Sequence, residues 1–547
     1  MRPLSGAVLC SVCIALLSSC SDMKKEADIL FVNGRITTLS KDNDTAEAMA
    51  VKDGRILETG KKDDLINTYS VDSMIDLGGR NVYPGFIDAH CHFYGLAQNL
   101  QWVDLRGADS FDDVIRRVES RAEQQSGGWL VGRGWDQNLW EGKQFPDRAR
   151  LDERFPDRPV VLIRVDGHSL LANQAALVAA GIGPGHSWSS QEVIAVNGRL
   201  TGILTENAAD YLRSLIPAPE GAELSRLLLE AEELCTSQGL TGVTDAGLDL
   251  RTLRFIDSLQ ESGALSIHVS AMLNPTEENI QAFMVNGALK KDRLHVSAVK
   301  LYADGSLGSR TALLKNPYTD DPDKTGVSAT SKDTIRKYCG LALQYGYQVN
   351  IHCIGDSAVK MVLDLYSGFL KGKNDRRWRI EHAQVCDPAD LHLFGDYSVI
   401  PSVQATHATS DMYWAEDRLG PERLKGAYAY KQLMAQNGWI PNGTDFPIEQ
   451  VSPLLTFYAA TARQDLQGIP EGGFLPENAL TRDEALRSIT IWAAKANFDE
   501  DETGSLEPGK WADFVILDQD VMTIPLSQIP AIQVLETWIH GEKIIKD

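Results

Sequence analysis

Between residues 82 and 445, short apolar runs of strand length recur, several of them followed by stretches with helical spacing. The runs are VYPGFIDAHCH (82–92), GLTGVTDAG (239–247), SIHVSAML (266–273), HVSAVKLYADG (295–305), YQVNIHCIGD (347–356), RWRIEHAQ (377–384), SVIPSVQ (398–404) and WIPNGTD (439–445). Segments such as KDTIRKYCGLALQYG (332–346) and DSAVKMVLDLYSGFL (356–370) place apolar residues three and four apart, as a helix lying on a sheet requires. Eight strands alternating with helices predict an α/β fold, a (β/α)8 TIM-like barrel. The first and second runs stand too far apart for one connection, so an inserted subdomain is expected over about residues 100–235. It contains GGWLVGRGWDQNLW (127–140) and PVVLIRVDGHSLLANQAAL (159–177), which read as further strands and a helix.

The two ends of the chain differ from this middle. DILFVNGRITTL (28–39) and AMAVKDGRILETG (48–60) are strand-like runs broken by Asn-Gly and Asp-Gly, both hairpin turn signals. GSLEPGKWADFVILD (504–518) and IQVLETWIHGEKII (532–545) read the same way. One small composite β-domain built from residues 20–82 and 500–547 is therefore expected, with the barrel occupying 83–499.

The first residues carry Arg2, the apolar run AVLCSVCIALL (7–17) and then SSC. The run is too short to span a bilayer and has the length of a secretory h-region, which makes residues 1–19 a signal peptide. LSSC, ending at Cys20, resembles the lipobox of bacterial lipoproteins. That resemblance implies cleavage before Cys20, lipidation of its sulfur, and an exported chain held at the cell envelope. Ser21 does not resemble an inner-membrane retention signal, which favours the outer membrane. A plain signal peptide with an incidental cysteine also fits these residues.

Composition adds exclusions. A net charge of −22, spread along 547 residues, disfavours a nucleic-acid partner. Three of eight cysteines lie in the leader region; Cys91, Cys235, Cys339, Cys353 and Cys386 are odd in number and irregularly spaced, which is not a disulfide framework. No partner beyond a small molecule and a lipid anchor is implied, and oligomeric state is not legible.

The polar residues that end the apolar runs carry the chemistry. Residues two apart on a strand face the same way, so His90 and His92 point together and Cys91 points away. His352, His382 and Asp445 each stand near the end of a later run, where barrel enzymes build their active sites. Lys300, Tyr302 and Asp304 share one face of the fourth run. A lysine facing a barrel interior is costly unless neutralised or paired, and its carbamate is an anion able to bridge two metals. Each residue alone has an ordinary structural alternative, but four histidines and an aspartate, each at the expected C-terminal end of a barrel strand, point to a metal site with open positions.

GFIDAHCH resembles the strand-one signature of the amidohydrolase superfamily, and GSLEPGKWADFVILD resembles its return into the small β-domain. GRGWDQNLW, DGHSLLANQAAL, VKLYADGSLGSR, NIHCIGDSAV, IEHAQ and GTDFP together resemble the branch containing N-substituted formamide deformylases. The resemblance implies that His90 and His92 bind one metal and His352 and His382 a second. It implies further that a carboxylated Lys300 bridges them and that Asp445 contacts the first metal and acts as base. A mononuclear set of His90, His92, His352 and Asp445 stays open beside it, with Asp304 a second candidate from the fourth strand. One or two zinc ions suit the donors, although iron, manganese or nickel would also fit.

The expected reaction is hydrolysis of an amide-type C–N bond by metal-activated water. Cyclic-imidohydrolase or aminoacylase-type activity is an alternative, and a non-catalytic solute-binding lipoprotein is another of a different class. Specificity is expected from Trp135, Asp136, Trp140 and His168 of the insert and from Arg310, which could pair with a substrate carboxylate. Glu206 in GILTENAA also recurs in the resembling branch, where a role at a helix N-terminus is equally open.

Overall fold

The strand Phe86–Cys91 is buried at every position, as a strand with helices on one face and a barrel interior on the other must be. It pairs in parallel with Leu240–Leu248, which pairs in parallel with His268–Leu273. The ladder continues in parallel through Leu294–Tyr302, Gln348–Cys353, Arg379–His382 and Ile400–Ser402. The computed structural model describes residues 24–40, 45–124 and 127–544. The expected signal peptide and lipidated Cys20 lie outside them. No helix among the described residues is long and apolar enough to cross a membrane.

The eighth run departs from expectation. Residues 439–445 form no regular strand and join the barrel by one parallel bridge, Val403 to Asn442. Pro441 has no N–H to give, and the Asn442 N–H is spent on the Ser488 carbonyl. The segment still closes the ring. The Gly443 N–H donates to the Val403 carbonyl at 2.9 Å, and the Asp445 N–H to the His90 carbonyl at 2.8 Å. Gly443 is required for this approach, because a Cβ there would lie 2.5 Å from the His90 nitrogen. Asp88 secures the same seam by accepting from the Thr444 hydroxyl at 2.7 Å.

Helices cover the barrel as their spacing predicts. Lys332–Tyr345 starts on Ser331, whose side chain accepts from the Thr334 N–H, and stops at Gly346 in the left-handed region. It buries Ile335, Tyr338, Cys339 and Ala342 along one stripe. Full burial of Ile335 alone contributes about 1.5–3 kcal/mol. The five cysteines among the described residues are buried and free.

The insert forms a six-stranded mixed sheet in the order Val193–Val196, Arg199–Thr205, Ser169–Ala172, Val160–Arg164, Leu130–Trp135, Val103–Asp104. Separate apolar clusters cover its two faces. Its own sheet ends at Thr205, whereas helix Gly221–Ser237, inside the bounds expected for the insert, packs with the barrel. Leu224, Leu227, Leu228, Ala231 and Cys235 lie in the barrel's core.

Both chain ends supply the β-domain. Asn81–Pro84 sits between the C-terminal strand Phe514–Leu517 and the N-terminal strand Arg35–Thr37. Phe31, Phe514 and Trp538 pack edge-on or stacked at about 5 Å between this sheet and the four-stranded one that holds Lys25–Val32. Asp53-Gly54 makes the expected hairpin between Ala48–Lys52 and Arg55–Gly60. Asn33-Gly34 does not: Lys25–Val32 is already paired on both edges, so the chain turns there into the other sheet.

Candidate metal centre

His90 is next to last in the first barrel strand, and His92 follows that strand as the chain turns into helix Phe93–Asn99. Their rings lie 5.8 Å apart, while Cys91 points into the helix-packing core. His382 ends the strand Arg379–His382 and takes a φ of +73°, a left-handed conformation that strains a non-glycine residue. Asp445 does the same at +59° on the irregular eighth segment. The rings of His352 and His382 are 4.5 Å apart, and those of His90 and His382 4.9 Å apart. Residues from four separate segments thus meet at the barrel's mouth.

Hydrogen bonds set which nitrogen of each ring is free. His90 Nδ1 donates to Glu381 Oε2 at 2.6 Å, leaving Nε2 directed at Lys300 Nζ, 3.2 Å away. His382 Nδ1 donates to Gln404 Oε1 at 2.6 Å, again leaving Nε2. His352 Nε2 donates to the Gly305 carbonyl at 3.1 Å, leaving Nδ1. This is the arrangement by which outer groups orient metal-binding imidazoles. Burial, helped by the Lys300 charge, holds the His90 pKa below its ordinary value, and burial holds His352 and His382 well below theirs. All three rings are therefore neutral, each with a lone pair to offer. Burial also lowers the pKa of Lys300.

Asp445 is the common neighbour. Its Oδ1 lies 3.2 Å from His92 Nε2 and 3.5 Å from His90 Nε2. Burial opposes its ionisation, but the neighbouring His407 and His92 imidazoles hold its pKa well below the carboxylate range. Asp445 Oδ1 is nevertheless buried without a hydrogen-bond partner among the described residues. The donor atoms of His90, His92 and Asp445 lie within 4.8 Å of one another, and so do those of His382, His407 and Asp445. An anionic oxygen without a hydrogen-bond donor, set between the His90 and His92 nitrogens, fits a divalent cation.

His407 was not anticipated from the sequence. It stands on the helix Ala405–Asp411, three residues past Gln404. Its Nε2 lies 3.4 Å from Asp445 Oδ2 and its Nδ1 3.1 Å from Glu449 Oε1. Burial opposes its charging, but these two carboxylates push its pKa up to about 10. Its signal was the same one that marked the other histidines, a His soon after an apolar run, here in SVIPSVQATH. Asp304 is brought to the cavity but not as a free donor. Its oxygens accept from the backbone N–H groups of Ile354, Gly355 and Leu313, which tie the loop after the fourth strand.

A cavity of about 580 Å³ opens above these groups, lined by His92, Lys300, His352, His382, Asp445 and residues of the insert. A second lobe of about 560 Å³ adjoins it at His352, His382 and Asp445 and includes Leu139, Trp414 and Leu466. His168 lines both lobes, with its ring 5.1 Å from that of His352 and its Nδ1 3.0 Å from Glu206 Oε2. Asp136 lines the second lobe while paired with Arg164. Trp135 and Trp140 do not reach the cavity. They stack on each other in the insert's core, and their indole N–H groups donate to Leu162 and Ala108 carbonyls. Arg310 is not there either, because its guanidinium fork is closed on Asp320 at 2.9 and 3.1 Å.

A family model described as the amidohydrolase family matches residues 73–545. Protein LONG AFTER FAR-RED 3 of Arabidopsis thaliana is 31% identical over 543 residues, covering 95% of this chain and 91% of its own. An N-substituted formamide deformylase of Arthrobacter pascens is 27% identical over 548 residues, covering 95% and 98%. The crystal structure of an uncharacterized metal-dependent hydrolase from Pyrococcus horikoshii superposes with a TM-score of 0.75 at 30% identity, covering 91% of this chain and 99% of its own.

Proposed function

The chain belongs to the amidohydrolase family, and from that premise we propose that it hydrolyses an amide-type carbon–nitrogen bond of a small molecule, with zinc as its metal. The observation that carries the reading is Asp445 Oδ1, buried without a donor between His90 and His92. His90, His92 and Asp445 would hold one cation. His352 and His382 would hold a second if Lys300 supplies a bridge. When bound, a divalent cation supplies Lewis acidity, acidifying a water towards neutral pH and polarising a carbonyl oxygen.

The chain's own groups do the rest. Asp445 accepts the proton of the attacking water and returns it to the departing nitrogen. His407 and His92 keep Asp445 ionised and oriented for that transfer. Glu381 and Gln404 fix the tautomers of His90 and His382. Burial lowers the Lys300 pKa and so favours loss of its proton; the neutral amine would then form an N–C bond to carbon dioxide with loss of a second proton, giving an anionic carbamate. LSSC supports an exported, lipid-anchored location, for which incorporation of labelled fatty acid into wild type but not Cys20→Ala is the check.

The test is removal of metal by a chelator and its return, assayed on N-formyl and N-acyl amines, with elemental analysis beside it. Activity should vanish and recover with zinc; undiminished turnover by metal-free protein sinks the reading. Turnover of cyclic imides instead selects an imidohydrolase, and binding without turnover of any amide selects a solute receptor. Two metals per chain falling to one in His382→Ala supports the bridged pair.

A further inference from the structure

Arg133 lies on the insert strand Leu130–Trp135 and lines the cavity that holds His92 and Asp445. Its guanidinium is only partly exposed, yet among the described residues it makes no hydrogen bond and no ion pair, and its Nε is buried without a partner. The arginines around it are spent: Arg164 on Asp136 and Asp166, Arg106 on Asp104, Arg213 on Asp210. Two nearby carboxylates point to other partners, although one oxygen of Glu206 is unpartnered. Asp166 is held by Arg164, Ser306 and Ser309, and Glu206 by His168.

The space around Arg133 is shaped for it. Gly167 takes φ +74°, and a Cβ there would sit 3.2 Å from Arg133 Nη2, so the guanidinium rests against bare backbone. Arg213 reaches the same residue from another side and donates to its carbonyl oxygen, with its own Nε buried and unpartnered. Burial and the neighbouring Arg213 lower the Arg133 pKa to about 10, which leaves it charged at neutral pH. A partly buried guanidinium beside a like charge, with no acid of its own, is unfavourable in the free protein. A planar anion offered from the cavity would relieve it, and a carboxylate matches the fork.

We propose that Arg133, flanked by Arg213, is the receptor for a carboxylate on the substrate. The hydrolysed amide therefore carries an acid group on the side that faces the insert. The term substrate here rests on the hydrolase reading above. Arg133 does in the insert what the sequence assigned to Arg310, whose fork is closed.

The test compares N-acetyl derivatives of glycine, alanine, phenylalanine and glutamate with the corresponding C-terminal carboxamides, in which the carboxylate becomes a neutral group of the same shape. Binding to the full chain is read by titration calorimetry, and turnover is measured separately on zinc-loaded protein. At least one acid should bind wild type about tenfold or more tightly than its amide. Arg133→Gln should bring that ratio close to one, and Arg133→Lys should keep part of it, with melting temperature confirming that both variants fold. Equal binding of acids and amides to wild type overturns the proposal. So does a preference that survives in Arg133→Gln. A preference that depends on Arg133, with no hydrolysis of any member, leaves the receptor standing and removes the hydrolase reading instead.

Discussion

His407 Nε2 lies 3.4 Å from Asp445 Oδ2, and Glu449 holds the opposite nitrogen of the same ring at 3.1 Å. An imidazolium so held anchors one oxygen of Asp445 and leaves the other, Oδ1, facing His90 and His92. His407→Ala should therefore lower kcat/KM by about 10–100-fold through a misplaced Asp445, by analogy with groups that orient metal ligands. Zinc affinity measured on the same variant should fall as well. Unchanged affinity with unchanged kcat/KM would show that the helix carrying His407 has no part in the centre.

Glu381 Oε2 receives the Nδ1 proton of His90 at 2.6 Å, and Glu381 remains ionised despite its burial. Glu381→Gln keeps an acceptor but removes the charge that makes His90 a stronger donor to a cation. The expected loss is about 10–100-fold in zinc affinity, with a smaller change in melting temperature of the metal-free protein. Competition with a chromogenic chelator measures the first and thermal denaturation the second.

His168 gives a pH dependence with a definite sign. Burial opposes its protonation, but Glu206 and Asp166 push its pKa up to about 9 from the ordinary 6.5. A group whose folded pKa is raised stabilises the fold fully below the unfolded value and loses that contribution as pH rises through the folded one. The stability difference between wild type and His168→Gln should be largest below pH 6.5 and vanish above about 9, with a ceiling of about 3 kcal/mol. Urea denaturation of both proteins across that range reads it. A difference that grows with pH contradicts the assignment.

Gly443→Ala tests the closure of the barrel. The added methyl would stand 2.5 Å from both the His90 nitrogen and Asp88 Oδ1, and backbone cannot yield as a flexible side chain does. A loss of about 4 kcal/mol or more, or failure to accumulate folded protein, is expected. Gly142→Ala, also at positive φ but with open space around it, serves as the control and should cost about 1 kcal/mol. Similar melting temperatures for the two variants would place the eighth segment away from the first strand.

Much of this molecule follows from rules that act over a few residues. Alternation along the strand aims His90 one way and Cys91 the other, whatever the rest of the chain does. Apolar runs alternating with amphipathic stretches lead to the barrel, and the similar texture of both ends leads to the shared β-domain. Pairings between distant groups follow no such rule. Arg310 and Arg133 look alike in the sequence, yet Asp320 closes the fork of one while packing leaves the other open to the cavity. Trp135 and Asp136 are adjacent, but one stacks inside the insert and the other lines the cavity. His407 gains its place because Asp445, on an irregular segment, turns back towards it. Direction along a strand is set by covalent geometry, which every residue carries with it. Which charge answers which is set by where separate elements come to rest, and that depends on the packing of the whole chain.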